Sequence, residues 1–324
     1  MEAGAKSPKF SITPYVKIAR PDHWFKNVFM LPGIAVALFG EPHLLGDPAL
    51  FWRVALAMAS LCIIASSYYV MNEILDAPFD ALHPVKKHRP VPSGQVRLRY
   101  AYIEWFVLAA SGLALAMPLG PHFFATALAL WCMGCIYNVR PVRAKDRPYL
   151  DVLAESLNNP LRLLMGWYAT GTTLVMPISL VLAYWMLGAF FMAVKRFAEY
   201  RTINDPVVAA NYRKSFSHYN EVRLLTSATY YGVAFGLFLG IFLIRYRIEL
   251  LVSVPFLAGV IAWYIHLGFR EDSPAQYPEK LYMEKPFVAY MLLCLVVMVG
   301  ALFVDLPWLE QLFAPTLPTV VAAP

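Results

Sequence analysis

Apolar and polar residues follow one another in long blocks along this chain, not in the short periods of a soluble fold. Nine apolar blocks stand out, at about residues 27–40, 50–72, 100–118, 121–138, 150–170, 174–195, 227–245, 248–268 and 286–304. Each approaches the roughly 20 residues that an α-helix needs to cross the hydrocarbon of a bilayer. The pattern predicts an all-α polytopic membrane protein, a bundle of nine transmembrane helices spanning residues 27–306. The first block is short and carries Pro32 and Gly33, which predicts a tilted or partly interfacial segment. Residues 1–26 mix apolar, aromatic and basic groups and read as an interfacial N-terminal segment. Lys6, Lys9, Lys17 and Arg20 are not accompanied there by an apolar core, so no cleavable signal peptide is expected. Residues 307–324 are apolar and Pro-rich and read as an interfacial tail.

Composition agrees with this. Of 324 residues, 59% are hydrophobic and only 15% charged, with a mean hydropathy of +0.54. A soluble domain is excluded. Charge then sets orientation. Lys and Arg number 5 in residues 1–26, 5 in 73–99, 4 in 139–149, 6 in 195–226 and 3 in 269–285. These 23 of 27 basic residues all fall on the side that carries the N-terminus. The positive-inside rule puts that side in the cytoplasm of a multi-pass inner (plasma) membrane protein. The net charge of +6 reflects topology and anionic ligands, and nothing suggests nucleic acid. Cys132 and Cys135 form a CxxC inside an apolar block with no neighbouring His or further Cys, which predicts small-residue helix packing over metal or redox chemistry.

The chemistry concentrates in one stretch, NEILDAPFDALHPVKKHRPVPSG, from Asn72 to Gly94. Its acids begin inside an apolar run, where charge is costly and points to function. Asn72 and Asp76 share a helix face, with Glu73 and Asp80 one turn away on either side of Asp76. Pro78 intervenes, which predicts a break that swings Asp80 toward a bound ion. Hard divalent cations take carboxylate and amide oxygens, and phosphates take Arg and Lys. Asn72, Glu73, Asp76 and Asp80 are therefore candidate Mg²⁺ ligands, with Lys86 and Arg89 candidate phosphate contacts. A solvated acidic helix end followed by a basic membrane-surface loop is the plainer alternative. A second polar stripe runs through the fifth block: Asp151, Glu155, Asn158, Asn159 and Arg162. It reads either as a wall of the site, with Arg162 holding a phosphate, or as a structural pair of Glu155 with Arg162.

The 72–94 stretch resembles the first motif of the UbiA superfamily of intramembrane transferases, NDxxDxxxD followed by a basic segment and RPxxSG. Asn72, Asp76, Asp80, Arg89, Pro90, Ser93 and Gly94 match, and Glu73 stands where the family usually has Asp. RPDHWFKN, from Arg20, resembles the family's RPxxWxKN, which implies that Lys26 faces the polar pocket. Tyr137 stands where the family often has a functional Tyr. Asp151 and Arg162 resemble the DV…R pattern of the decaprenyl-phosphate phosphoribosyltransferase branch. KRFAEYR, with Lys195, Arg196 and Glu199, is similar to that branch's KRxAE. YRKSFSHY, from Tyr212, is similar to its YRxSFxxY. Prenyltransferases of the superfamily carry a second Asp-rich motif where this chain has Lys195–Arg196. The resemblance implies nine spans and a Mg²⁺-dependent transferase whose partners are a diphosphate-containing donor and a polyprenyl lipid. It implies transfer of 5-phosphoribose from its 1-diphosphate to a polyprenyl phosphate, with Asp76, Asp80 and Lys195 as catalytic residues. The alternative is prenyl transfer from a prenyl diphosphate to an aromatic or other small acceptor. A transporter would instead need polar groups along a full transmembrane path.

Overall fold

The computed structural model describes residues 11–81, 86–314 and 316. Residues 1–10, 82–85, 315 and 317–324 lie outside it, and with them the start of the predicted interfacial segment, part of the loop after Asp80 and most of the tail. In chain order the α-helices are α1 (Thr13–Ala19), α2 (Leu31–Gly40), α3 (Leu50–Asp80), α4 (Leu98–Ala116), α5 (Pro121–Asn138), α6 (Leu150–Ser156), α7 (Asn158–Ala169), α8 (Ile178–Ile203), α9 (Pro206–Tyr212), α10 (Glu221–Tyr246), α11 (Val254–Gly268), α12 (Lys285–Phe303) and α13 (Pro307–Leu312). Short 3₁₀ segments join them, and no strand occurs among the described residues.

Six helical segments are long and apolar enough to cross a membrane: Leu50–Asp80, Leu98–Leu119, Ile178–Ile203, Glu221–Tyr246, Ile248–Gly268 and Lys285–Phe303. The other three predicted spans are built differently. Residues 21–40 are a 3₁₀ turn (Pro21–Met30) running into the ten-residue α2. The fifth block divides at Leu157 into α6 and α7. Helix α5 is 18 residues long but carries His122, Tyr137 and Asn138 at its ends.

The chain forms two compact units, one of residues 1–176 with 206–219, the other of residues 177–205 with 220–324. In the first, α3 is the central element. Its 31 residues rise about 46 Å at 1.5 Å each, against about 30 Å of hydrocarbon. It is therefore longer than an upright crossing needs, and Asn72 to Asp80 occupy its last turns. Small polar residues tie α3 to α4: Ser60 Oγ donates to the Gly112 carbonyl at 2.8 Å and Ser67 Oγ to the Trp105 carbonyl at 3.1 Å. Such bonds keep polar groups satisfied between apolar helices. The N-terminal segment docks on the same helix. Trp24 Nε1 donates to Ser66 Oγ at 2.9 Å, and Ile18 of α1 packs with Val70 and Ile74 of α3. Against α7 the approach is closer still. A Cβ on Gly33 would stand 2.0 Å from the Leu163 carbonyl oxygen, and one on Gly166 2.0 Å from that of Met30. Only glycine fits either place.

In the second unit α8 packs along α10, with Phe190 and Phe197 fully buried on α8. Asn220 caps α10 by accepting the Arg223 backbone N–H at 2.8 Å.

Candidate active site

The predicted break at Pro78 does not occur. Helix α3 continues through Pro78 to Asp80, and the Ala81 N–H still reaches the Ala77 carbonyl at 3.0 Å. Pro78 sits in the last turn, where its missing donor costs a single hydrogen bond. Asp80 therefore stays in helical register with Asp76 and is not swung away from it.

Asp76 lies beneath the loop that follows α5. Lys145 Nζ donates to Asp76 Oδ1 at 2.5 Å, to Asn72 Oδ1 at 3.1 Å and to Asn138 Oδ1 at 2.8 Å. An ammonium has three N–H donors, and three oxygens from two helices receive them. Arg143 joins from the same loop, its Nη2 2.9 Å from Asp76 Oδ1, its Nε 3.0 Å from Asp146 and its Nη1 3.3 Å from the Asn138 carbonyl. Arg143 is buried, holds a left-handed backbone at φ 36° and lies over the Phe79 ring. Such a conformation costs about 1–3 kcal/mol in a non-glycine residue and persists where surrounding contacts over-determine it. Burial pushes the Lys145 ammonium down to about 8 against the pull of Asp76, and the charges of Arg143 and Arg213 add to the push.

The other acids have separate partners. Asp80 Oδ2 accepts from Arg89 Nη1 at 2.7 Å. Glu73 is buried, and its Oε1 accepts the backbone N–H of Val91 at 3.1 Å. Glu73 and Arg89 thus fold the RPVPSG turn back onto α3, with Gly94 at φ 74° closing it. Among the described residues no three His, Cys, Asp or Glu side chains gather. The oxygens that do gather are Asn72, Asp76 and Asn138, converging on one cationic nitrogen. Hard oxygen donors with a single carboxylate suit Mg²⁺, which keeps most of its shell for water and substrate phosphate.

Around this centre the Lys86 ammonium lies 4.9 Å from the Tyr212 ring centroid, joining the basic loop to the 206–219 segment. Asp151 is fully buried, accepting Tyr219 Oη at 2.8 Å and Ser215 Oγ at 3.1 Å. Glu155 accepts Tyr68 Oη at 3.2 Å, and the Tyr68 ring stands 6.4 Å from that of buried Tyr137. Arg162 Nε donates to Asn27 Oδ1 at 3.2 Å, and Asn27 passes its own N–H to Cys62. Among the described residues, Glu155 and Arg162 therefore do not form the structural pair that their spacing allowed. Lys26 lies 3.0 Å from His23 Nδ1 on the 3₁₀ turn. In the second unit Arg196 is buried with its Nη1 3.0 Å from Glu199 Oε2, and Lys195 Nζ is 4.0 Å from Glu199 Oε1.

Asn138, Arg143 and Lys145 were missed as site residues. They sit in YNVRPVRAKDR, where the basic residues counted only toward topology. The signal was present in Asn138, a polar residue closing an apolar block directly before them.

The UbiA prenyltransferase family model matches residues 27–284. The chain is 29% identical over 242 residues to the decaprenyl-phosphate phosphoribosyltransferase of Mycolicibacterium smegmatis, covering 72% of each chain. It is 31% identical over 234 residues to the enzyme of the same name from Corynebacterium glutamicum, covering 67% of this chain and 63% of that one. In fold it is similar to a UbiA homolog from Archaeoglobus fulgidus solved bound to GPP and Mg²⁺, with a TM-score of 0.67 and 21% identity over 90% of this chain and 100% of that one. A polytopic helical chain with an Asn–Asp–Lys centre at the end of its longest helix, matched over most of its length, belongs to the UbiA prenyltransferase family and is a membrane transferase.

Proposed function

We propose that this protein transfers 5-phosphoribose from phosphoribosyl diphosphate to a polyprenyl phosphate, releasing diphosphate. The observation that carries the reading is the convergence of Asn72, Asp76 and Asn138 oxygens on one cation, with Arg143 and Arg89 fixed against Asp76 and Asp80. The similarity to decaprenyl-phosphate phosphoribosyltransferases supports the choice of donor and acceptor.

The barrier lies in breaking the anomeric C–O bond, since negative charge grows on the leaving diphosphate. Asn72, Asp76 and Asp80 would hold Mg²⁺, which neutralises part of that charge when bound. Lys86, Arg89, Arg143 and Lys145 bind and orient the diphosphate oxygens. Lys145, Arg143 and Arg89 are held by Asp76, Asn138 and Asp80 before substrate arrives, so they oppose the growing charge through their fixed positive charge and would meet diphosphate oxygens by exchanging those partners. The acceptor phosphate is already anionic and attacks the anomeric carbon without a strong general base. A site walled by apolar helices keeps water from capturing the cation-like sugar carbon. Tyr137, Arg162, Lys26 and Tyr212 are the proposed substrate contacts of the first unit, and Lys195, Arg196 and Glu199 are candidate donor contacts of the second. The chain crosses the inner membrane nine times with this site opening to the cytoplasm, in keeping with its basic loops.

A second reading is prenyl transfer to a small acceptor. It is favoured by the fold neighbour solved with GPP and Mg²⁺, and disfavoured by Lys195–Arg196 standing where a second acidic motif would be needed. The test offers purified protein labelled phosphoribosyl diphosphate and labelled polyprenyl diphosphates, each with Mg²⁺ and lipid extract. Label from phosphoribosyl diphosphate in the lipid product supports the first reading. Label from a prenyl diphosphate alone replaces it with the second.

A further inference from the structure

Tyr68, Asn72 and Asp76 stand at successive turns on one face of α3. Tyr68 lies one turn, about 6 Å at 1.5 Å per residue, further from the helix end than Asn72. What it holds there is a carboxylate, since its Oη donates to Glu155 Oε2 at 3.2 Å. Helix α5 makes room for the ring: a Cβ on Gly134 would stand 2.4 Å from Tyr68 Cδ2, so only glycine admits it. Tyr137, Ala144 and Ala154 pack with Tyr68 in one cluster, which joins the neighbours of Asn138, Lys145 and Glu155. Asp76, Asp80 and Asp151 each face a basic side chain. Glu155 faces none among the described residues, and its Oε1 accepts no hydrogen bond from them. The side chain is half-buried within an apolar block, where an uncompensated charge is costly and points to function. An ionised carboxylate only accepts hydrogen bonds, so Oε1 calls for a donor. Phosphoribosyl diphosphate carries two adjacent hydroxyls beside the anomeric carbon, and a carboxylate is the group that accepts ribose hydroxyls in dinucleotide-binding folds. A prenyl chain has no such donor.

We propose that Glu155 accepts hydrogen bonds from the 2- and 3-hydroxyls of the donor's ribose, and that Tyr68 is the positioning residue that aims it. The inference rests on the phosphoribosyl reading and adds to it the contact that recognises the sugar instead of the phosphates. Glu155→Gln keeps the shape of the side chain and removes its charge. Tyr68→Phe removes one hydroxyl and keeps the ring seated over Gly134.

The experiment titrates the purified full chain, with Mg²⁺, against three probes. These are inorganic diphosphate, a carbocyclic phosphoribosyl diphosphate whose ring carbon cannot ionise, and the same carbocycle without its 2- and 3-hydroxyls. Wild type should bind the hydroxylated carbocycle about ten- to a hundredfold more tightly than the other, the scale of a charge-assisted contact. Glu155→Gln should close most of that gap and leave affinity for diphosphate and for the hydroxyl-free carbocycle near wild type. Tyr68→Phe should narrow the gap in the wild-type background and change nothing further in Glu155→Gln. Equal wild-type affinity for the two carbocycles overturns the hydroxyl contact without any variant. A gap that survives intact in Glu155→Gln, or a loss there that diphosphate shares, overturns the assignment to Glu155. A gap untouched by Tyr68→Phe overturns the positioning role. Wild type that binds diphosphate but neither carbocycle removes the phosphoribosyl reading instead.

Discussion

Lys145 Nζ and Asp76 Oδ1 stand 2.5 Å apart, so the carboxylate proposed to bind a metal is also the counter-charge of a buried lysine. Asp76 answers Arg143 as well. Removing it leaves buried Lys145 without a carboxylate and Arg143 with Asp146 alone, and breaking such a buried pair costs about 3–5 kcal/mol. Asp76→Ala should therefore lose stability as well as activity. Asp76→Asn keeps the shape and one acceptor and is the cleaner probe. Its turnover should fall by at least about a hundredfold while its melting temperature falls less than that of the Ala variant. Asp76→Asn with wild-type turnover would remove Asp76 from the catalytic centre.

Glu73 separates a metal ligand from a structural acid. From its sequence position, Asp looks like a harmless replacement, because charge is kept and the family residue restored. The structure reverses this expectation, since Glu73 Oε1 reaches the Val91 N–H across the turn. A side chain one methylene shorter leaves that donor buried without its partner, at a cost of about 1–3 kcal/mol. Glu73→Gln keeps reach and acceptor. We expect Gln to be tolerated and Asp to lower the melting temperature. A direct metal ligand gives the opposite order in Mg²⁺-dependent activity.

The Gly33 and Gly166 contacts set how closely α2 and the 3₁₀ turn before it approach α7. Overpacking a tight contact costs about 1–3 kcal/mol. Gly166→Ala should lower thermal stability on that scale, and because Arg162 lies one turn earlier on α7 and bonds Asn27, activity should fall with it. Gly236→Ala, where a Cβ meets nothing, is the control, and equal behaviour of the two would contradict the packing argument.

Topology can be checked at exposed loop positions. Lys87, Arg147 and Lys214 are exposed, and the basic-residue count puts all three on one side. Single cysteines there should react with an impermeant maleimide only when the cytoplasmic face is open. Any one of them labelling from the periplasm breaks the assigned orientation.

What the sequence makes legible follows from where the physics is local. Membrane helices announce themselves because lipid demands apolar length, and the 72–94 motif announces itself because carboxylates inside an apolar run need a reason. The division of the fifth block at Leu157 was not legible, because α6 and α7 share one hydropathy profile. The break expected at Pro78 does not occur, because that proline stands so near the helix end that it costs a single hydrogen bond. The role of Asp151 was hidden for another reason. Its partners Ser215 and Tyr219 lie more than sixty residues away, and only tertiary structure turns a polar stripe into an anchor. Asn138, Arg143 and Lys145 show the same limit, since a lysine in a basic loop looks like topology until its three oxygen partners are in view.

Lys195 and Arg196 are proposed to bear on which donor is used, and their surroundings divide the expected roles. In phosphoribosyl diphosphate the 5-phosphate lies at the far end of the sugar from the diphosphate, so a cluster at Asn72–Asp80 cannot neutralise both ends. A prenyl diphosphate has only hydrocarbon at its remote end. Basic residues beyond the first cluster would therefore have a phosphate to hold in the first donor and none in the second. Arg196 is buried and bonded to Glu199 at 3.0 Å, so Arg196→Ala strips a half-buried carboxylate of a partner and should lower the melting temperature. Lys195 is more exposed and 4.0 Å from the same carboxylate, so its ammonium can exchange that partner for a phosphate at less cost. Lys195→Ala should weaken binding of phosphoribosyl diphosphate about ten- to a hundredfold. It should leave binding of ribose 1-diphosphate, which lacks the 5-phosphate, near the wild-type value. The comparison is a pair of binding titrations on wild type and Lys195→Ala. Equal losses toward both ligands would mean that Lys195 senses the diphosphate end or the fold, and not the 5-phosphate. No loss toward either would take the residue out of donor recognition and leave prenyl transfer the better account of the Lys195–Arg196 position.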